Sequence, residues 1–363
     1  MRSTQRIRLA AMTDQGLLLS AAERSLDRRR LEESVDLFFE AEKMGADADR
    51  CAAGRWMAWM LLGRFSNAWE ESDAIRRRGA PDPHRFWNGQ EVGGKVVIVR
   101  SLHGLGDAIQ NLRFLPLLRQ RASRVLLEVP PSLVEIARGI PGPDEVVSWG
   151  NSFTQREGAW DVQMEVTELP YWMRCQVEDL PLATQYLRIP DVHARCASRW
   201  LGGAPHPRIG IAWAAGEWNP ARSISLSEMT PLFDESDLTF WNIQGGSIRA
   251  EWEGLACRKN LKDVPELCAD AGVLPLAAFI SQLDVVITVD TLAAHLGGAL
   301  GVRTWVMLQH KADWRWMTDR EDSPWYPSVR LFRQPEDGDW KTGIHRVSDA
   351  LAGLRSLNSK RAA

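Results

Sequence analysis

The sequence predicts an α/β protein with two doubly wound parallel-sheet domains facing a cleft, preceded by an all-α helical segment. Three observations carry this. Short apolar, β-branched runs alternate with helical stretches from about Lys95 onward, the pattern of a parallel sheet covered on both faces. A Pro- and Gly-interrupted stretch at about 167–204 divides that region in two. Before it, a pattern of buried-type residues recurs at a spacing of 34 residues.

The recurrence pairs Leu31, Ser34, Phe38 and Ala41 with Phe65, Ala68, Ser72 and Ile75. Gly63 precedes the second copy and Pro81 ends it. Two copies fit either a degenerate helical repeat or an ordinary helical hairpin. About three are needed for a free-standing solenoid, so this block is expected to lean on the next domain. In the first α/β domain, KVVIVR, RVLLEV, EVVSW and DVQMEV read as strands, with helices from about Asp107 and over PSLVEIARG. In the second, RIGIAW, LTFWNI, DVVITV and RTWVML read as strands, with helices near 226–233, 275–283 and 292–300. A terminal helix over about 340–357 carries Ile344, Val347, Leu351 and Leu354 at three- and four-residue spacings, one apolar stripe. The expected domains are 1–92, 93–204, 205–338, and a terminal helix 339–363 that crosses back to the first α/β domain.

The chain has 363 residues, 45% hydrophobic and 25% charged, enough for two sizeable cores. A net charge of −3 argues against an extended nucleic-acid surface. The five cysteines, Cys51, Cys175, Cys196, Cys257 and Cys268, form no CxxC pair. Neither a disulfide framework nor a zinc site follows, and reduced thiols in a cytoplasmic protein are the simplest reading. No run approaches the ~20 apolar residues of a membrane span. Attachment at the inner membrane surface stays open.

Two turns attract attention. In VRSLHGLGDAIQNL a buried strand enters Gly104-Leu105-Gly106-Asp107, where a helix starts. Glycines permit the tight turn and a close ligand approach. Asp107 either caps the helix or presents a carboxylate to the cleft, and the spacing does not separate the two. The third glycine of a dinucleotide fingerprint is missing. His103 precedes the turn, as an assistant to Asp107, an acceptor contact or a plain loop residue. In LDVVITVDTLAAHLGGALGV a strand ends at Asp290-Thr291 and a small-residue helix begins, with His295 near the same face. A helix N-terminus at a strand end suits phosphate; an N-cap and a core histidine would look the same. The aromatic runs Asp313-Trp314-Arg315-Trp316 and Ser323-Pro324-Trp325-Tyr326-Pro327 follow a strand and should overhang the cleft, with Trp316 and Trp325 expected to pack the loop.

The run DTLAAHLGGALGVRTWVML, followed by DWRWMTDREDSPWYPSVRLFRQ, resembles the C-terminal half of family 9-like glycosyltransferases fused to tetratricopeptide repeats, and GLGDAIQNLRFLPLL resembles their N-terminal motif. The wider family includes heptosyltransferases. The resemblance covers about 94–350 and implies a GT-B fold of two Rossmann-like domains. It implies inverting, metal-independent sugar transfer from a nucleotide-sugar donor to a glycan, lipid-linked or protein acceptor. No cofactor is implied, and the helical repeats could hold a protein partner. It casts Asp107 as catalytic base. Gly104, Gly106, Arg222, Gln244, Asp290, Thr291, His295 and Arg315 fall on the donor side; around Arg222 the wording AAGEWNPA departs from the relatives. Direct displacement without a metal needs a base and positive charge on the departing diphosphate, which arginine and helix N–H groups can supply. The alternatives are a non-catalytic scaffold of the same fold, and an epimerase on a similar scaffold.

Overall fold

The computed structural model describes all residues except 1, 80–84, 151–157, 179, 181–184, 217–218, 235–237, 256–259, 265–266, 268–271 and 363. For 2–13, 255 and 355–362 it describes the backbone alone. Pro81, Pro181, Cys257 and Cys268 lie outside the described residues.

The chain divides into two compact units. The first is helical: α1 (Arg2–Asp27), α2 (Leu31–Lys43), α3 (Ala48–Leu61) and α4 (Phe65–Arg78). Each helix packs on the next. Of the recurring positions, Leu31, Ser34, Phe38, Ala41, Phe65, Ala68 and Ser72 are buried and Ile75 is half-buried. Gly54 lets α3 approach α2, since a Cβ there would lie 2.1 Å from Phe38 Cζ.

This unit is not the simple N-terminal block expected. It also includes Glu168–Leu180 and Lys311–Arg320. In the first segment Trp69 donates its indole N–H to the Cys175 carbonyl at 2.7 Å, and Glu168 accepts the Phe86 and Trp87 N–H groups. In the second, Lys311 pairs with Asp27 at 2.8 Å, Arg29 donates to the Ala312 carbonyl at 2.7 Å, and Trp314 meets Trp56 edge-on. The DWRW run therefore belongs with the helices. Within the run, Asp313 and Arg315 pair with each other, while Trp314 finds a partner distant in sequence.

Asp73 fastens the first segment. Tyr171 Oη donates to it at 2.5 Å and Arg174 Nη2 at 2.6 Å. Burial pushes the Asp73 carboxyl up, but these bonds outweigh it and hold the group below its ordinary value. Burial and Asp73 together push the Tyr171 phenol up to about 12. A depressed carboxyl pKa contributes stability that is full above the unfolded value of 3.8 and lost as the pH falls below it. Thermal melts from pH 5 to pH 3 should therefore lose less stability in Asp73→Asn than in wild type. Parallel slopes would show that Asp73 does not control this docking.

The second unit holds both parallel sheets. The first is built from β1 (Val96–Arg100), β2 (Arg124–Val129), β3 (Glu145–Ser148) and β4 (Val162–Glu165). Helices α5 (Leu105–Asn111), α6 (Leu115–Arg119) and α7 (Val134–Ala137) lie between them in sequence. Its order is β3-β2-β1-β4. The short α8 (Leu169–Trp172), part of the first unit, and α9 (Asp191–Trp200), part of the second, follow in sequence, both inside a stretch expected to be irregular. The second sheet has β5 (Arg208–Ala212), β6 (Thr239–Asn242), β7 (Leu261–Lys262), β8 (Val285–Val289), β9 (Thr304–Leu308) and β10 (Val329–Arg333), in the order β10-β9-β8-β5-β6-β7. All pairings within both sheets are parallel. Helices α10 (Thr230–Phe233), α11 (Val273–Ile280) and α12 (Leu292–Leu300) connect them, and α13 (Trp340–Ala362) ends the chain. Strands β8 and β9 are buried throughout, which explains their unbroken apolar sequence.

The described side chains of the terminal helix pack on the second sheet. Trp340, Ile344, Val347 and Leu351 sit in the core cluster of the second sheet, with Leu354 packed against it. That apolar stripe completes the second α/β domain.

Candidate active site

In the second sheet the chain order reverses between β5 and β8, which leaves a crevice beyond their carboxyl ends. A cavity of about 660 Å³ opens there, within the range of small-molecule sites. Ala214, Gly245, Ser247, Glu251, Thr291 and Leu292 line it. Thr291 is extended and caps α12, its hydroxyl accepting the Ala293 N–H at 3.4 Å. The start of a nine-residue helix thus borders the cavity.

Gln244 shapes the cavity wall. Its Oε1 accepts the Trp213 and Ala214 N–H groups, both at 2.9 Å, and its Nε2 donates to the Ala214 and Gly245 carbonyls. The side chain is fully engaged with backbone, so it acts on a ligand through the loops it holds. Glu251, which motif reading missed, accepts the Trp213 indole N–H at 3.0 Å and the Leu226 N–H at 3.1 Å.

Arg222, Asp290 and His295 come together. Arg222 donates to the Asp290 carbonyl at 3.1 Å and lies 3.7 Å from Oδ2 of its carboxylate. His295 Nε2 lies 3.9 Å from Asp290 Oδ1, and its Nδ1 is 2.9 Å from the Tyr326 hydroxyl. Asp290 and His295 are buried. Arg315 belongs to the helical unit, where Asp313 Oδ1 accepts its Nε–H at 2.9 Å.

The turn after β1 is the other half of the arrangement. Asp107 Oδ2 accepts the Gly104 N–H at 3.1 Å, closing the first turn of α5. The capping reading of Asp107 is thus present in the structure. Gly106 is required by a close approach: a Cβ there would lie 2.5 Å from His295 Cδ2. It lets α5 pack against α12. Gly298 similarly admits the Tyr326 ring, and Gly297 admits Thr304.

His103 stands in the same turn, 3.0 Å through Nδ1 from Glu165 Oε1 at the end of β4. Glu165 has no exposed surface. It also accepts the Leu102 N–H at 3.1 Å and both donors of Thr167. Burial pushes this carboxyl up, but the bonds from His103 and Thr167 outweigh it and keep it below its ordinary value. Beside the turn, Trp149 donates to the Ser101 carbonyl at 3.1 Å and remains 43% exposed.

Arg113, unmarked in the sequence, joins the two α/β domains. It is buried, donates to the carbonyls of Gln110 and Trp325 and to the Tyr186 hydroxyl, and lies over the Tyr326 ring at 4.6 Å. Trp316 and Trp325 are buried, as expected of loop-packing residues. Among the described residues no His, Cys, Asp and Glu group is arranged to hold a metal ion. Nor is any helix among them long and apolar enough to cross a membrane.

No family model matches the chain. Protein FlbA of Caulobacter vibrioides is 24% identical over 333 residues, covering 80% of this chain and 53% of FlbA. The chain thus spans about half the length of that relative. Among solved structures, a family 9 glycosyl transferase from Veillonella parvula superposes with a TM-score of 0.53 at 14% identity, over 73% of this chain and 98% of the other. ADP-heptose lipopolysaccharide heptosyltransferase II from E. coli does so with a TM-score of 0.53 at 12% identity, over 72% and 99%. The chain has the GT-B fold of family 9, heptosyltransferase-like glycosyltransferases.

Proposed function

We propose that this chain transfers a hexose or heptose from a nucleotide-sugar donor to a hydroxyl of a glycan, lipid-linked or protein acceptor, with inversion and without a metal. The observation that carries the reading is the cavity between β5 and β8, bordered by the start of α12, in a chain of this fold. The nucleoside occupies the cavity. The diphosphate lies at the start of α12, against its N–H groups and the Thr291 hydroxyl, where the helix dipole favours negative charge. Arg222 adds positive charge close by, Asp290 holds Arg222, and His295 and Gln244 hold the surrounding backbone and packing. The acceptor's hydroxyl meets Asp107, with His103 as a second group suited to take its proton, while Gly104 and Gly106 in the same turn face the donor. A protein partner on the helical unit belongs to the same proposal, supported by a groove of about 420 Å³ lined by Phe39, Lys43 and Glu70.

Thr291→Val is the direct test. Removing a hydrogen bond to a charged group costs about 1.5–3 kcal/mol, a roughly ten- to hundredfold loss of affinity. Calorimetric titration of UDP, ADP and GDP should show that loss for whichever binds wild type, with recovery in Thr291→Ser. Unchanged affinity in a well-folded Thr291→Val protein would remove the diphosphate from this helix. Tight nucleotide binding without any donor turnover would favour a non-catalytic scaffold.

A further inference from the structure

We infer that His103, oriented by the buried Glu165 carboxylate, is the general base of the transfer reaction, and that Asp107 shapes the turn on which it stands. The assignment presupposes the sugar-transfer reading above. Strands β1 and β4 are neighbours in the first sheet, and their carboxyl ends flank its switch point. His103 and Glu165 lie at those two ends. The imidazole is 35% exposed, whereas its carboxylate partner is wholly enclosed.

The pairing decides which ring nitrogen is basic. Glu165 is held ionised and its Oε1 stands 3.0 Å from Nδ1, so the negative charge favours the hydrogen on Nδ1 and leaves the basic lone pair on Nε2. A buried carboxylate fixing the ring and stabilising the imidazolium is the arrangement that activates hydroxyl nucleophiles elsewhere. Asp107, by comparison, has one carboxylate oxygen engaged in closing α5 onto Gly104. The turn also abuts α12 through Gly106 and His295, on the helix whose first residues border the donor cavity.

The step balances without a co-reactant. The acceptor oxygen attacks the anomeric carbon, and its proton passes to His103 Nε2. The bond from that carbon to the β-phosphate oxygen breaks, and the nucleoside diphosphate leaves with the electron pair. Glu165 then neighbours an imidazolium until the proton is released to solvent. Glu165 is a positioning residue, because it acts through His103.

The experiment follows release of nucleoside diphosphate from UDP-, ADP- and GDP-linked sugars by the full chain, with water as acceptor. His103→Ala should fold, since Glu165 keeps its Leu102 and Thr167 donors. It should release product about 10²–10⁴-fold more slowly, bind the nucleoside diphosphate as wild type does, and recover partly when imidazole is added. Glu165→Gln should lower kcat about tenfold or more with the donor KM unchanged. The dyad is overturned if His103→Ala turns over within a few-fold of wild type. It is also overturned if its loss is not restored by imidazole; a large loss in Asp107→Asn would then return the proton to Asp107. If wild type cleaves none of the donors while remaining folded, the transfer reading itself fails and takes the base with it.

Discussion

Arg55→Met should cost the protein about 3–5 kcal/mol of stability. The Arg55 side chain is 4% exposed, with Nε 2.6 Å from Glu71 Oε1 and Nη2 2.8 Å from Oε2, a two-pronged pair. Glu42 approaches Nη1 at 2.6 Å, and the guanidinium lies over the Phe39 ring. The desolvation of two charges nearly cancels their attraction, so the pair itself adds little net stability. Removing the cation alone is different, because Glu71 then stays buried with no compensating charge. Replacing both partners should therefore recover most of the loss: Arg55→Met with Glu71→Met is expected close to wild type or above it. Urea unfolding of the three proteins measures this. A single variant losing less than about 1 kcal/mol would show that water screens the pair as it does at a surface.

Strands β1, β5, β8 and β9 were legible because burial on both faces demands an unbroken apolar run. Strand β10 was not, since in VRLFR the exposed Arg330 and half-buried Arg333 break the apolar run. Strand β7, two residues long, has no periodicity to read. Among the site residues, Asp290, Thr291 and His295 were visible as one local motif. The contact of Arg222 with Asp290 joins residues 68 apart and exists because β5 pairs with β8. Glu165 carried no signal at all. It meets His103 only because β4 pairs with β1, in a register that sets Glu165 beside Arg100. Arg113 reads as an ordinary basic residue on a helix, and only Tyr186, Trp325 and Tyr326, distant in sequence, enclose it. The segment of Arg315 completes the helical unit, an association with helices more than 200 residues earlier that no local pattern announces.

Gly106→Ala should lower turnover on the order of 10²-fold while nucleoside diphosphate binding survives. The added methyl would lie 2.5 Å from His295 Cδ2 and 3.0 Å from Nε2, well inside the roughly 3.5–4.0 Å of normal carbon contact. His295 has little room to yield. Its Nδ1 is tied to the Tyr326 hydroxyl, and the Tyr326 ring is pressed against Gly298. The strain must therefore move α5 away from α12 by about 1 Å, and overpacking of this kind typically costs about 1–3 kcal/mol. The moving helix carries Asp107, and the turn before it carries His103, so the acceptor side shifts against the donor side. The donor cavity draws its walls from the loops after β5 and β6 and from the start of α12. It should keep its affinity, so the loss should fall on kcat. Truncating the obstructing ring supplies the control: Gly106→Ala combined with His295→Ala should turn over faster than Gly106→Ala alone, whereas independent effects would multiply. Turnover near wild type in a folded Gly106→Ala protein would mean that this contact does not set the distance between the reacting groups.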